Sequence, residues 1–201
     1  MKINLKKVNL KKQKINNFML LLVGLGNEGK EFENTRHNVG FQFIDYLKNF
    51  YNLTNTKNKL KSHIFRGKIL NQNVILSKPI TMMNCSGEAI RLIKNYYKIE
   101  INNIFVFHDE LDLELERVKI KLGGGSAGHN GIKSIDKNIG NNYFRIRVGI
   151  KNSEHYENAS SYVLSKFNKL EAKKIIAIIA KINKNLNYVF QKDIDNFMQS
   201  M

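Results

Sequence analysis

Ile104-Phe105-Val106-Phe107-His108-Asp109-Glu110-Leu111-Asp112 joins four apolar residues directly to a cluster of titratable ones. An uninterrupted apolar run this short reads as a strand buried on both faces, here Asn103 to His108, such as fills the middle of a parallel sheet. The polar residues after it fall where α/β sheets place their ligands. Met19 to Val23, another short apolar run ended by glycines, reads as a second buried strand. Val39 to Phe50 and Ser86 to Tyr97 carry apolar residues at helical spacing, and Ile132 to Ile139 reads as a further helix. His63 to Ile69 and Val74 to Ser77 flank Asn71-Gln72 as a hairpin, with Lys78-Pro79 ending the second strand. Arg117 to Lys121 and Phe144 to Ile150 alternate as strands, and residues 168–190 close the chain with an amphipathic helix. Strands interspersed with helices give an α/β domain, and the hairpin together with a tight turn near Leu113 makes its sheet mixed.

The composition agrees with one such domain: 201 residues, 42% hydrophobic and 25% charged, with no internal repeat and no Pro/Ser/Gly linker. A single Cys excludes a disulfide scaffold and points to a reducing compartment, the cytosol by default. The longest apolar run, Phe18 to Leu25, is far short of the roughly 20 residues that cross a bilayer. It is also followed by no small-x-small cleavage site of a secretory signal. Residues 1–17 hold six Lys, no acid, no Arg and no Ser, and read as a basic, disordered extension ahead of a domain spanning 18–201. Met19 would serve equally well as a start.

The net charge is +16, and +10 remains once the six lysines of residues 1–17 are set aside. Such a field favours a polyanion, nucleic acid ahead of an anionic membrane because no strongly amphipathic basic helix is evident. A general excess of Lys, Asn and Ile would give the same charge without any partner.

Three polar loops follow predicted strands. Gly24-Leu25-Gly26-Asn27-Glu28-Gly29 matches the dinucleotide fingerprint in letters, with Asp45 at about the right distance. Its context fails: Lys30 to Asn38 has no helical periodicity, and Asp45 lies inside a helix instead of ending a strand. In Asn34-Thr35-Arg36-His37-Asn38-Val39-Gly40, a lone His stands at a helix entry, where it is a capping residue or a general base. A base needs an acceptor for its other ring nitrogen. Asp109 is the best placed, with Glu110 and Asp112 competing. The five His lack the spacing of a zinc set and Cys85 has no partner, so no metal is called for. Gly123-Gly124-Gly125-Ser126-Ala127-Gly128-His129-Asn130-Gly131 leads into a helix and lacks the Gly-Lys-Ser/Thr ending of a P-loop. Its backbone N–H groups, with Lys121, Lys133, Arg145 and Arg147 around them, suit a phosphate; a flexible connection is the plain alternative.

These motifs together resemble the bacterial-type peptidyl-tRNA hydrolases. The resemblance runs from about Met19 through Phe167. It rests on Gly24-Leu25-Gly26-Asn27, Asn34-Thr35-Arg36-His37-Asn38, Lys78-Pro79 with Met83-Asn84-x-Ser86-Gly87, His108-Asp109-Glu110-Leu111-Asp112, and Gly128-His129-Asn130-Gly131-x-Lys133-Ser134, in the family's order and approximate spacing. It implies a mixed, twisted sheet surrounded by helices, and a monomeric, cofactor-free, metal-free esterase that frees peptide from peptidyl-tRNA and recycles the tRNA during translation. It also implies that His37 is the catalytic base and Asp109 its orienting carboxylate. Asn27 and Asn84 would bind substrate near the ester, Asn130 would help hold substrate or the attacking water, Phe32 and Met83 would also bind substrate, and Lys121 and Arg147 would grip a tRNA phosphate, with the tRNA acceptor region as partner. Two positions depart from the pattern: Glu28 stands where Pro is common, and Phe32 where Tyr is common.

Overall fold

The computed structural model describes residues 18–152 and 158–201. The basic extension expected at 1–17 lies outside the described residues. Seven strands form one sheet in the order β2-β3-β4-β1-β5-β7-β6. Its centre is β4 (Gln72–Pro79), β1 (Leu20–Gly24), β5 (Ile104–Glu114) and β7 (Phe144–Lys151), all parallel to their neighbours in that group. The edges are antiparallel: β2 (Thr54–Lys59) and β3 (Ser62–Ile69) on one side, β6 (Val118–Leu122) on the other. The sheet is therefore mixed, as the hairpin requires.

Alternation along the strands sends side chains to two cores. One holds Leu21, Val23, Ile75 and Val106 against α2 (Ser86–Tyr96) and α3 (Asn130–Ile139). The other packs Leu20, Leu22, Phe105, Phe107 and Ile146 against α1 (Val39–Phe50), α5 (Lys169–Lys184), α6 (Leu186–Gln191) and α7 (Ile194–Ser200). A short helix, α4 (Ala159–Leu164), precedes α5.

Three expectations shift in detail, and one strand, β2, is an addition to them. The hairpin turn sits one residue earlier, at Leu70-Asn71, both with positive φ (49° and 63°), the backbone a two-residue hairpin loop demands. Strand β5 does not stop at His108 but pairs with β7 through Glu110↔Gly149 and on to Glu114, and its turn comes at Glu116 instead of near Leu113. Strand β2, with the sequence Thr-Asn-Thr-Lys-Asn-Lys, has no apolar alternation to announce it, which is usual for a polar edge strand. The helix expected over 168–190 begins at a capping box formed by Asn168 and Glu171, then breaks at Asn185, which leaves helical geometry and turns its amide back onto the Lys181 carbonyl.

One close approach sets the site. A Cβ on Gly40 would lie 2.3 Å from the Phe107 carbonyl oxygen and 2.4 Å from the Leu25 nitrogen. Only glycine lets the first turn of α1 press onto the ends of β1 and β5, which carries His37 to the sheet.

Candidate active site

Asp109 lies inside β5, not in a loop after it, and is 3% exposed. His37 sits in a 3₁₀ turn, Arg36–Asn38, just before α1. Its Nδ1 lies 2.9 and 2.8 Å from the two Asp109 carboxylate oxygens. Of the competing acids, Glu110 points to the opposite face of the strand and binds Arg147 at 2.7 Å, while Asp112 is exposed.

A second imidazole completes the cluster. His129 Nε2 lies 3.0 Å from Asp109 Oδ1, and its Nδ1 accepts the backbone N–H groups of Gly131 and Ile132 at 3.1 and 3.3 Å. An ionised carboxylate only accepts, so both nitrogens facing Asp109 carry protons. His129 is thereby locked as the Nε2–H tautomer, because its Nδ1 lone pair is already engaged with the start of α3. Neutral His37 keeps its lone pair on Nε2, beside the cleft. Three potential ligand atoms of His37, Asp109 and His129 lie within 4.8 Å of one another, close enough for a metal ion. The donor set does not suit one. His129 could offer Nε2 to a metal only by losing that proton, and Nδ1 cannot take one while facing two N–H donors.

The electrostatics follow from the same contacts. Burial by itself would raise the Asp109 pKa, but the two imidazoles hold the carboxyl well below the usual carboxylate range. For His37, burial opposes protonation, yet the Asp109 charge and hydrogen bond outweigh it and lift the pKa above the ordinary imidazole value. His108, the residue before Asp109 on β5, faces the other way, fully buried and donating Nδ1–H to the Asp109 carbonyl at 2.7 Å. Burial and then the neighbouring His129 keep it neutral.

Three amides border the pair. A cleft of about 490 Å³ is lined by Asn27, His37, Met83, Asn84, Asp109, His129 and Asn130, with Leu111, Val163 and Leu164 as apolar walls. Asn27 is fixed from both sides: its backbone N–H and C=O bond the Asn38 side chain at 2.8 and 2.9 Å, and its Oδ1 accepts the Met83 N–H at 3.1 Å. Its Nδ2 makes no hydrogen bond among the described residues, and the residue lines the cleft. Asn84 and Asn130 are exposed at the cleft's rim. Phe32 lies in the 3₁₀ turn Lys30–Phe32 and lines no part of this cleft. A second cavity of about 520 Å³ opens on the far side of Asn27, between the Lys78–Asp45 and His63–Glu28 pairs.

The glycine loop differs from its expected use. The start of α3 is already capped by His129, so its N–H groups do not wait for a phosphate. Arg145 is 1% exposed and binds Asp136 and the Gly125 carbonyl, which ties the loop down. Lys121 stays half-buried beside Gly124 on the same sheet face as Arg147; burial, then Arg147 and Arg145, lowers its pKa.

Two residues passed over by sequence reasoning hold this arrangement. Asn38 clamps the Asn27 backbone, and Arg36 anchors the His37 turn across the molecule. Its guanidinium binds the Lys166 carbonyl at 2.8 Å and Glu171 at 2.7 Å, and stacks on Tyr162 and Phe167. Both flank His37 in the motif Asn34-Thr35-Arg36-His37-Asn38, which contains them without giving either a role.

The peptidyl-tRNA hydrolase family model matches residues 21–201. The chain belongs to that family. It is 43% identical over 180 residues to a peptidyl-tRNA hydrolase of Rickettsia canadensis, covering 89% of this chain and 97% of the relative. It is 44% identical over 184 residues to that of Rickettsia rickettsii, covering 91% and 100%. Among solved structures, peptidyl-tRNA hydrolase from Acinetobacter baumannii superposes with a TM-score of 0.84 at 34% identity, over 90% of this chain and 93% of that one. The family's α/β fold, with its seven-stranded mixed sheet, is the fold found in this chain.

Proposed function

We propose that this member of the peptidyl-tRNA hydrolase family cleaves the ester between peptide and tRNA with His37 as general base. The observation that carries the reading is His37 Nδ1 seated between both oxygens of a buried, ionised Asp109, with the ring at a cleft bordered by asparagine amides. The bond to the ribose is an ester, whose alkoxide leaves more easily than an amide nitrogen, so activated water suffices and no covalent nucleophile is required. His37 Nε2 takes the water's proton while Asp109 stabilises the imidazolium that forms, help typically worth about 10²–10⁴-fold. The amides of Asn27, Asn84 and Asn130 donate to the substrate and to the developing oxyanion. Met83, against which a Cβ on Gly131 would clash, shapes the wall, and Lys121 and Arg147 hold a phosphate of the acceptor region.

In this reading residues 18–201 are the catalytic domain of a monomer that works without a cofactor, as the family resemblance implies. No helix among the described residues is long and apolar enough to cross a membrane. With a single Cys in the chain, that supports action in the cytoplasm. Phe32, away from the cleft, would meet substrate only through its tRNA portion. Turnover of purified peptidyl-tRNA by wild type and His37→Ala tests the reading. Wild type should release free peptide and deacylated tRNA, and the variant should lose most of kcat; near-normal turnover by His37→Ala would remove the base.

A further inference from the structure

The positive charge of this protein is concentrated away from Lys121 and Arg147. Between residues 46 and 99 there are ten Lys or Arg against one acid, Glu88, a net +9, whereas everything outside residues 1–17 amounts to +10. That segment builds β2, β3, β4 and α2, the flank at the opposite edge of the sheet from β6 and β7. Four strand spacings, about 19 Å, separate β3 from β7.

Some of these cations are neutralised within the protein: Lys61 pairs with Glu88 and Lys78 with Asp45, each at 2.7 Å. Others are not. Lys59, Arg66, Lys68, Arg91, Lys94 and Lys98 have no carboxylate in ion-pair reach among the described residues, and all but the half-buried Lys94 are exposed. Two of them meet aromatic rings instead. Lys59 Nζ lies 5.0 Å from the ring centre of Tyr96, and the Arg66 guanidinium 5.3 Å from that of Tyr97. The two tyrosines stand edge to face at 4.8 Å, and Tyr96 is 59% exposed at the end of α2. A ring so exposed contributes little to the core, and Lys59, the cation over it, has no carboxylate in ion-pair reach among the described residues.

We infer that the flank formed by Lys59, Arg66 and Tyr96 binds a single-stranded RNA segment other than the acceptor end cleaved at His37. The chemistry is that of sequence-tolerant single-strand binding, in which cations track the backbone and an aromatic ring stacks an unpaired base. On binding, Lys59 exchanges the Tyr96 ring for a phosphate and the base takes its place. Tyr96 is ten residues beyond the start of α2, which adjoins Asn84, so the surface begins about 15 Å from the cleft. A duplex offers no unstacked base to Tyr96, and an anionic membrane offers none either; the exposed ring favours the single strand.

The test is fluorescence anisotropy of a labelled oligouridylate of about 12 nucleotides with the full chain, over a series of salt concentrations. Arg66→Gln and Lys59→Gln should each flatten the slope of log affinity against log salt by about 0.7. Tyr96→Ala should weaken binding about 5- to 150-fold and Tyr96→Phe should leave it intact, since the ring and not the hydroxyl stacks. Lys121→Ala should bind the oligomer as wild type does. Turnover of a minimal peptidyl ester should be unchanged in the flank variants, which shows them folded and keeps a failure of the catalytic reading separate. Absence of oligomer binding, indifference to Tyr96→Ala, or an equal loss in Lys121→Ala would each overturn the inference.

Discussion

Replacing Asp109 with Asn changes one atom and, by the hydrogen-bond pattern around it, reverses the chemistry of His37. His129 must present Nε2–H, because its Nδ1 already accepts two backbone N–H groups from α3. The new amide therefore has to put its oxygen at the Oδ1 position, 3.0 Å from His129 and 2.9 Å from His37 Nδ1, which leaves its NH₂ at the Oδ2 position, 2.8 Å from His37 Nδ1. With that donor as its nearer neighbour and the oxygen already taken by the His129 N–H, His37 should place its lone pair on Nδ1 and its proton on Nε2, where a base needs the lone pair. The fold is kept and the tautomer is wrong. The loss should be about 10²–10⁴-fold in kcat with little change in KM, the whole of the general-base contribution and about 3–5 kcal/mol of barrier. The imidazole pKa should move too. With the counter-charge gone and burial unrelieved, His37 should titrate below the ordinary value instead of above it. Single-turnover kinetics and NMR titration of His37 read the two effects. A variant retaining kcat within tenfold of wild type, with an unchanged His37 titration, would refute the tautomer argument.

Other expectations follow from neighbouring contacts. In the wild type, log kcat should rise with pH through a midpoint above the ordinary imidazole value of 6.5 and then level off as His37 loses its proton. The stability linkage runs the opposite way: the His37–Asp109 contribution is full below about pH 6.5 and fades as pH rises through the raised folded value. Urea unfolding of wild type and His37→Gln should therefore differ more at about pH 5.5 than at about pH 8.5. Glu171→Ala strands the Arg36 guanidinium, 5% exposed, and should cost about 3–5 kcal/mol by urea melts; a loss under 1 kcal/mol would mean that Lys166 and the rings suffice. Lys121→Ala should raise KM for full-length peptidyl-tRNA and spare a truncated substrate. Arg147→Ala should do the same and also destabilise by about 1–3 kcal/mol, because it abandons buried Glu110. Equal kinetic effects on both substrates would remove the phosphate clamp.

The fold was legible where burial imposes a pattern. Strands β1 and β5 are all or mostly apolar because helices cover both faces, and α1 repeats apolar residues at helical spacing because one side meets the sheet. Where a segment owes its structure to hydrogen bonds with a neighbour, the letters are mute. Strand β2 is polar throughout and exists by pairing with β3. The end of β5 reads as a loop because it is charged. It stays a strand because β7 continues beside it and because each buried acid has a partner: Asp109 two imidazoles from the starts of α1 and α3, Glu110 the Arg147 guanidinium of β7. The break in the last long helix likewise turns on a single asparagine whose amide prefers the Lys181 carbonyl to a place in the helix.

For the site, proximity was easier to read than protonation. That a histidine before α1 would find an acid at the end of the central strand follows from topology, since both lie at the carboxyl edge of the parallel strands. Which of Asp109, Glu110 and Asp112 it finds depends on strand parity: neighbours on a strand face opposite sides, so of the two buried acids only Asp109 can look toward α1. That inference was available only once β5 was known to continue past His108. The role of His129 needed still more. Its spacing in the glycine loop marks it as a helix cap or a loop residue. In fact it is both a cap and a donor, and the two functions are coupled through one ring. By accepting from α3 on one nitrogen it must donate to Asp109 on the other, and Asp109, held ionised between two donors, leaves His37 its lone pair at Nε2. The direction of every proton in this chain is set by backbone N–H groups at the start of a helix, which no side-chain spacing encodes.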